Sequence, residues 1–491
     1  MRGIVWLCFA ALAAFYICGP VADPDLWWHI TVGRWILANQ TIPHVDYWGM
    51  FSAGTHWRAY SWLSEIIFAL VDSGFGERGL LILQMFFALL LSLSLFWCFS
   101  KISQDWFFGG VLGFLVTAAV FNHFSLRPQV LVWIVFAVLL WTAVRIEREG
   151  LDWKKGSQLF LLMLLWANTH VSSVLGILAV MFWLSSPHSG RQAALAGLIC
   201  FLGTLATPYL GGEWLTLIGK GLHPFSHSSI LEFQPATILQ RSTGLFLVLL
   251  ACFLAFLHFR PAALGRAKPC GALLFTLLAL AVVKFQPFAG IFVAACLAQM
   301  WQGEGADRKE LGNISTAVEK LRRLLEETPR EGLAFLLLCL CLVNGFRAWR
   351  EKTAESIRPE AAVDFIIENR LPFPLLNDFG SGGYIMYRLS DRAGNLAHKV
   401  SLDGRTNLIS SELWEKKKAA LRGWPAWREY IDAVKPATIL WLTRAPLSSI
   451  LLSAGEWCRV KKSGGESGFS VFVKRAEFEA RRSELMSDNC K

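Results

Sequence analysis

Apolar runs long enough to cross a bilayer recur through most of this chain, and no other feature of the sequence limits its fold as strongly. A hydrocarbon core ~30 Å thick takes about 20 residues of apolar helix rising ~1.5 Å each. Runs of this kind fall at about residues 4–22, 79–99, 106–122, 129–146, 157–168, 171–186, 193–208, 243–259, 270–283, 285–301 and 332–349. Several are short or merge with a neighbour, so the pattern predicts roughly eleven transmembrane helices, give or take two. Composition agrees: 54% of the 491 residues are hydrophobic and only 17% are charged, against about 25% charged in soluble domains. The first run follows Arg2 and has neither an A-x-A cleavage site nor a lipobox before Cys18, so it is expected to stay as a span.

The loops set the orientation. Lys101, then Arg145, Arg148, Lys154 and Lys155, then Arg191, then Arg260, Arg266 and Lys268, and finally the segment Arg308 to Arg330 all fall on one side. By the positive-inside rule that side is cytoplasmic. This placement accounts for the net charge of +10 without a nucleic-acid partner. An odd number of spans then puts 23–60, 123–128, 209–241 and everything after residue 349 outside, which in a bacterium is the periplasm or cell exterior. Thr316 to Leu325 has the pattern of an amphipathic helix on the inner surface. Residues 1–349 thus form a polytopic transmembrane domain carrying a long first external loop, 23–60, and residues 350–491 form an external soluble domain.

The tail has ordinary globular punctuation. A helical pattern covers Pro359 to Asn369, and strand-like runs cover Pro374–Leu376, Lys399–Leu402, Ala437–Leu442 and Phe469–Val473. Alternating strands and helices predict a small α/β domain. The turn Asn377-Asp378-Phe379-Gly380-Ser381-Gly382-Gly383 fits no phosphate-binding fingerprint and is expected to be structural. Cys458 and Cys490 are the two cysteines of this polar region; a disulfide between them is compatible with the sequence, though no spacing rule requires it.

The first external loop carries the chemistry. It contains Asp23-Pro24-Asp25-Leu26-Trp27-Trp28-His29, then Gly33, Pro43, Asp46, Trp57 and Trp62-Leu63-Ser64-Glu65. One reading is an aromatic belt at the membrane interface with an Asp capping a helix. The other is a site at the membrane face, where ionisable groups are retained for function. The density of Asp, His and Trp favours the second.

This pattern resembles the GT-C superfamily, polytopic glycosyltransferases that take sugars from polyprenyl-phosphate carriers. It resembles more closely a broad group of bacterial membrane proteins with D-x-D-x-W-W-H near the N-terminus, R-P-Q, N-x-H and E-x-Q-P patterns, and a C-terminal N-D-x-G-x-G-G-Y and D-G-R region. The matching residues here are Arg127-Pro128-Gln129, Asn168 with His170, Glu232 with Gln234-Pro235, Asn377 to Tyr384, and Asp403-Gly404-Arg405. The resemblance implies a GT-C-like α-helical membrane fold and transfer of a sugar, with inversion, from a lipid-linked donor to a glycan, lipid or protein acceptor on the external face.

In GT-C enzymes an aspartate just after the first span is catalytic. The string starting at Asp25 is similar to the D-x-(W/Y)-(F/Y)-x string of oligosaccharyltransferases, which makes Asp25 the first choice of base and Asp23 the second. A base must take the acceptor's proton, and cationic groups must meet the departing phosphate. Arg127, Lys284 and His170, at external ends of spans, are the candidates for the phosphate. For Arg127 and Lys284 the alternative is snorkelling to headgroups; for His170 it is a packed core histidine. His29, Asp46, Trp62, Glu65, Asn168 and Glu232 are expected to line the polar cavity.

The departures are a missing KPP-like motif, whose place Trp62-Leu63-Ser64-Glu65 takes, and a missing W-W-D motif in the tail. They leave the acceptor open. A divalent ion on Asp23, Asp25 and Asp46 also stays open, because three carboxylates in sequence define no coordination geometry. Two rival functions remain: a transporter or flippase of lipid-linked saccharides, for which repeat symmetry would be expected, and a non-enzymatic membrane protein whose tail binds polysaccharide or a partner.

Overall fold

The structure is a computed structural model, and it describes residues 2–17, 19, 21, 23–186, 189–222, 231–237, 241–302, 316–320, 322–323, 343, 359–465 and 468–490. The chain forms two compact units.

The first unit comprises 1–21, 77–218 and 226–353. Its helices include Arg2–Ile17, most of Trp62–Ser103, Trp106–Ala119, Pro128–Glu149, Trp153–Ala167, Val174–Leu184, Gly190–Leu205, Arg241–Phe259, Ala267–Ala281 and Gln286–Met300. Every apolar run read from the sequence up to residue 301 falls on one of them; the run at 332–349 lies outside the described residues apart from position 343, and the surface helix at 316–325 is described only in part. Local signals start these helices. Asp105 accepts from the backbone N–H groups of Phe107 and Phe108, Asp152 accepts from that of Lys155, and Pro128 opens its helix directly after Arg127. Small residues let the helices close up: a Cβ at Gly203 would come 2.7 Å from the carbonyl of Phe160, so helices 153–167 and 190–205 pack backbone against backbone.

Among the described residues, Trp62–Ser103, Pro128–Glu149 and Val283–Met300 are long and apolar enough to cross a membrane, and five further apolar helices are shorter. Phe86, Leu198, Leu254 and Leu273 expose their side chains on such helices. Exposed apolar surface of this kind is stable against lipid rather than water. The apolar helices point to a membrane protein.

The second unit gathers 22–76, 219–225 and 354–491. The first loop and the tail, nearly 300 residues apart in sequence, therefore belong to one compact unit. The tail supplies a four-stranded sheet: β1 Leu375–Asn377, β2 Thr438–Leu442, β3 Trp457–Ser463 and β4 Phe469–Lys474, in the order β1-β2-β4-β3. β1 and β2 are parallel, and the β2–β4 and β4–β3 pairs are antiparallel. Ile439, Leu440, Trp441, Val471, Phe472 and Val473 are buried, as expected for central strands covered on both faces. The α/β reading of the tail holds, with helices at Glu360–Glu368, Gly382–Leu389, Ser411–Arg422, Trp427–Val434 and Pro446–Ser453.

Two details differ from the sequence reading. β3 was not foreseen, because Arg459, Lys461 and Lys462 break its apolar pattern; it is an edge strand, where charge is tolerated and discourages further pairing. Lys399–Leu402 is not a ladder strand. Val400 instead exchanges backbone hydrogen bonds with the first loop, donating to the Trp48 carbonyl (3.1 Å) and accepting from the Met50 N–H (2.8 Å). Cys458 and Cys490 form a disulfide with a Cα–Cα distance of 5.5 Å.

Candidate active site

In the second unit, Asp23 caps the helix Pro24–Asn39, its carboxylate accepting from the Asp25 N–H at 2.9 Å. Pro24 fixes the first turn. Asp25 follows in that turn, where the helix dipole favours a negative charge. It is partly exposed, and its Oδ1 accepts from the Trp28 indole at 3.2 Å. The next residue, His29, lies 3.5 Å centroid to centroid from the Trp28 ring. Its Nδ1 is 3.0 Å from Glu65 Oε1, both side chains being buried. Gly33 allows this approach: a Cβ there would sit 2.0 Å from the Glu65 carbonyl oxygen. Trp62, at the start of the Glu65 helix, is partly buried.

The tail's glycine motifs lie against this turn. A Cβ at Gly404 would fall 1.8 Å from Asp25 Oδ1 and 3.0 Å from Trp28 Nε1, and one at Gly383 would fall 2.4 Å from the Pro24 carbonyl oxygen. Only glycine fits at either position without moving the Asp25 segment.

Arg405 anchors the same stretch. It is 2% exposed, with its guanidinium 2.5 Å from Asp46 Oδ1 and 2.6 Å from Asp403 Oδ2. The Trp48 and Trp57 rings flank it at 5.3 and 5.0 Å. Asp46 also accepts from Ser52 Oγ (2.6 Å) and from the N–H groups of Trp48 (3.1 Å) and Gly49 (3.0 Å). Burial pushes the Asp46 carboxyl upward, but Arg405 and these donors hold it below its ordinary range. Burial likewise opposes the Arg405 charge, and the two carboxylates raise its pKa above the usual value nonetheless. Asp46, expected to line a cavity, is thus fully buried as one arm of an ion triad. No group of three or more His, Cys, Asp or Glu that could hold a metal occurs among the described residues.

The first unit holds a second constellation. Arg127 precedes Pro128 at a helix start, Lys284 lies in the short turn Val283–Phe285, and Glu232 lies in the turn Leu231–Phe233. Glu232 bridges the two cations, one oxygen on Arg127 Nη1 and the other 3.0 Å from Lys284 Nζ. Backbone bonds from Val283 to Gln234 (3.0 Å) and from Ala236 to Leu280 (2.9 Å) tie the two turns together. Burial favours the neutral form of Glu232, yet Arg127 and Lys284 hold its carboxyl well below the usual range.

His123, which the sequence did not single out, joins this cluster: its Nε2 is 3.1 Å from Gln286 Oε1, and the Gln286 amide donates to Thr243 Oγ1 at 2.7 Å. Burial lowers the His123 pKa against the hydrogen bond that it donates to Gln286. The one sequence hint was Gln286 beside Lys284. His170 and Asn168 are engaged in turns: His170 Nδ1 accepts from the Ser172 N–H (3.2 Å), and Asn168 donates to the carbonyls of Leu164 (2.8 Å) and Ala206 (2.9 Å).

No protein-family model matches the sequence, and no curated protein matches it. Solved structures do. The archaeal oligosaccharyltransferase AglB from Archaeoglobus fulgidus, solved with an inhibitory peptide and a dolichol-phosphate, aligns over 96% of this chain and 74% of its own with a TM-score of 0.59 at 11% identity. ArnT from Cupriavidus metallidurans, bound to undecaprenyl phosphate, aligns over 96% of this chain and 97% of its own with a TM-score of 0.53, also at 11% identity. The chain shares its fold with these solved structures. At 11% identity this likeness establishes architecture, and the activity has to be argued from the residues.

Proposed function

We propose that this chain is a membrane glycosyltransferase that moves a sugar from a polyprenyl-phosphate carrier to an acceptor on the external face of the bacterial cytoplasmic membrane, with inversion. The observation that carries this reading is Asp25: a partly exposed carboxylate in the first turn of a helix, shortly after the first apolar helix of a chain with the GT-C fold. Asp25 takes the proton from the acceptor as its heteroatom attacks the anomeric carbon. The bond from that carbon to the phosphate oxygen breaks, and its electron pair leaves on the lipid phosphate. Arg127 and Lys284 are the cations assigned to that phosphate, since charge-assisted hydrogen bonds to phosphate are the strong ones. Both neighbouring structures hold a polyprenyl phosphate, dolichol-phosphate in one and undecaprenyl phosphate in the other, which supports this donor class.

The decisive assay incubates the purified protein with a panel of polyprenyl-phosphate sugars and follows free carrier phosphate. Release with one donor and its acceptor is expected. Movement of an intact lipid-linked saccharide across vesicles without release would instead establish a flippase. Arg127→Met and Lys284→Met should each weaken undecaprenyl phosphate binding by about 10- to 100-fold, the worth of a charged hydrogen bond of ~1.5–3 kcal/mol, and unchanged binding in both would remove them from the phosphate site.

The proposed architecture has roughly eleven spans with segment 23–60 and the tail outside. The Cys458–Cys490 disulfide supports an external tail, because such bonds persist in oxidising compartments. Reporter fusions at Gly54 and after Lys491 should agree with each other and oppose one at Gly156. A cytoplasmic tail would overturn this topology.

A further inference from the structure

Glu232 is an unusual neighbour for a phosphate site. Its two carboxylate oxygens engage one cation each, the placement that two non-bridging oxygens of a phosphate would take between Arg127 and Lys284. Arg127 is fixed by Pro128 at a helix start, while Lys284 and Glu232 each lie in a three-residue turn, Val283–Phe285 and Leu231–Phe233, joined by backbone hydrogen bonds. The side chain of Glu232 is also the most exposed of the three, at 37% against 14% for Arg127 and 24% for Lys284.

We infer that Glu232 is a built-in competitor that occupies the phosphate place in the unliganded protein and is displaced by the lipid phosphate. The inference rests on Arg127 and Lys284 being the phosphate-binding cations. Two semi-buried cations without an anion would carry a desolvation cost and repel one another. Glu232 removes that cost while the site is empty, and the two cations with one carboxylate leave a single net positive charge. A ligand then gains only the difference between its own contacts and those of the tethered carboxylate. A phospholipid headgroup and the donor are both phosphodiesters of a single negative charge, so what admits the donor against Glu232 is the contact made by its isoprenoid chain and its sugar. The same competition helps to expel the spent carrier after transfer.

The sign of one substitution separates this role from a supporting one. A site open in only a fraction of molecules binds with an apparent Kd raised by that fraction. Removing the competitor should therefore tighten binding. Glu232→Gln in phosphatidylcholine nanodiscs is expected to bind undecaprenyl phosphate about tenfold more tightly than the parent. Its thermal stability should be lower than the parent's without lipid and should rise more steeply as lipid is added. Glu232→Asp, too short to reach both cations at once, should fall between the two and serves as the measure should Glu232→Gln not fold. Weaker or unchanged binding in Glu232→Gln would overturn the inference and leave Glu232 as a support that orients Arg127 and Lys284. Unchanged binding in Arg127→Met and Lys284→Met would instead remove the phosphate site itself, so the two failures are told apart.

Discussion

Asp25→Asn should abolish sugar transfer, lowering kcat by roughly 10²–10⁴-fold, the usual cost of losing a general base, while the protein inserts and folds as before. Asn keeps the shape of the side chain and can still accept from the Trp28 indole, but it cannot take a proton at neutral pH. The comparison that gives this test its force is Asp23→Asn. Asp23 is the helix cap, and Asn caps a helix as well as Asp does, so this change should leave both fold and turnover close to the parent. A dead Asp23→Asn beside an active Asp25→Asn would transfer the role of base to Asp23. Full activity in both would make the first loop an interfacial anchor and remove the main support for an enzyme. Steady-state release of carrier phosphate, with detergent-resistant folding as the control, decides among these outcomes.

Arg405→Met is expected to have the largest effect on stability. It would strand Asp46 and Asp403 in the interior of the second unit without their cation, and breaking a buried pair from one side typically costs about 3–5 kcal/mol. A large drop in melting temperature and in the yield of folded full-length protein is the expected reading. Asp403→Asn added to Arg405→Met should recover part of it by removing one of the stranded charges, and failure of any recovery would mean that the loss comes from the stacking on Trp48 and Trp57 instead. Acid should act on the same triad. The Asp46 pKa is lowered by folding, so its contribution is present above the ordinary carboxylate range and is lost as pH falls through the depressed folded value. Thermal melts of the full chain should therefore be flat near neutral pH and fall below about pH 4, and the fall should be smaller in Arg405→Met.

Much of the architecture could be read from local pattern, because local pattern is what makes it. The apolar runs become helices, Asp23, Asp105 and Asp152 cap them, and Pro128 opens one. Asp25 stood out because a carboxylate beside two tryptophans at the end of an apolar run has few structural uses. What stayed hidden depends on chain segments that meet only after folding. Nothing near Asp46 announces a guanidinium 359 residues later, and nothing near Arg127 announces a carboxylate 105 residues later. Lys399–Leu402 looked like a sheet strand because its backbone is extended; its partner proved to be the first loop. His123, in an apolar stretch ending at a short turn, had no local signal beyond the Gln286 that it contacts.

The pairing of Asp46 with Arg405 also sets a timetable for biogenesis. The first loop is made early, and the residues that complete its ion triad and lie against Asp25 come from a ribosome that has added another 359 residues. At ~5–20 residues per second, that is about twenty seconds to just over a minute in which Asp46 must remain hydrated, or held by a chaperone, on its own. A nascent or prematurely terminated chain therefore displays the Asp25 motif without the structure that orders it, and assembly of the second unit waits on the end of translation.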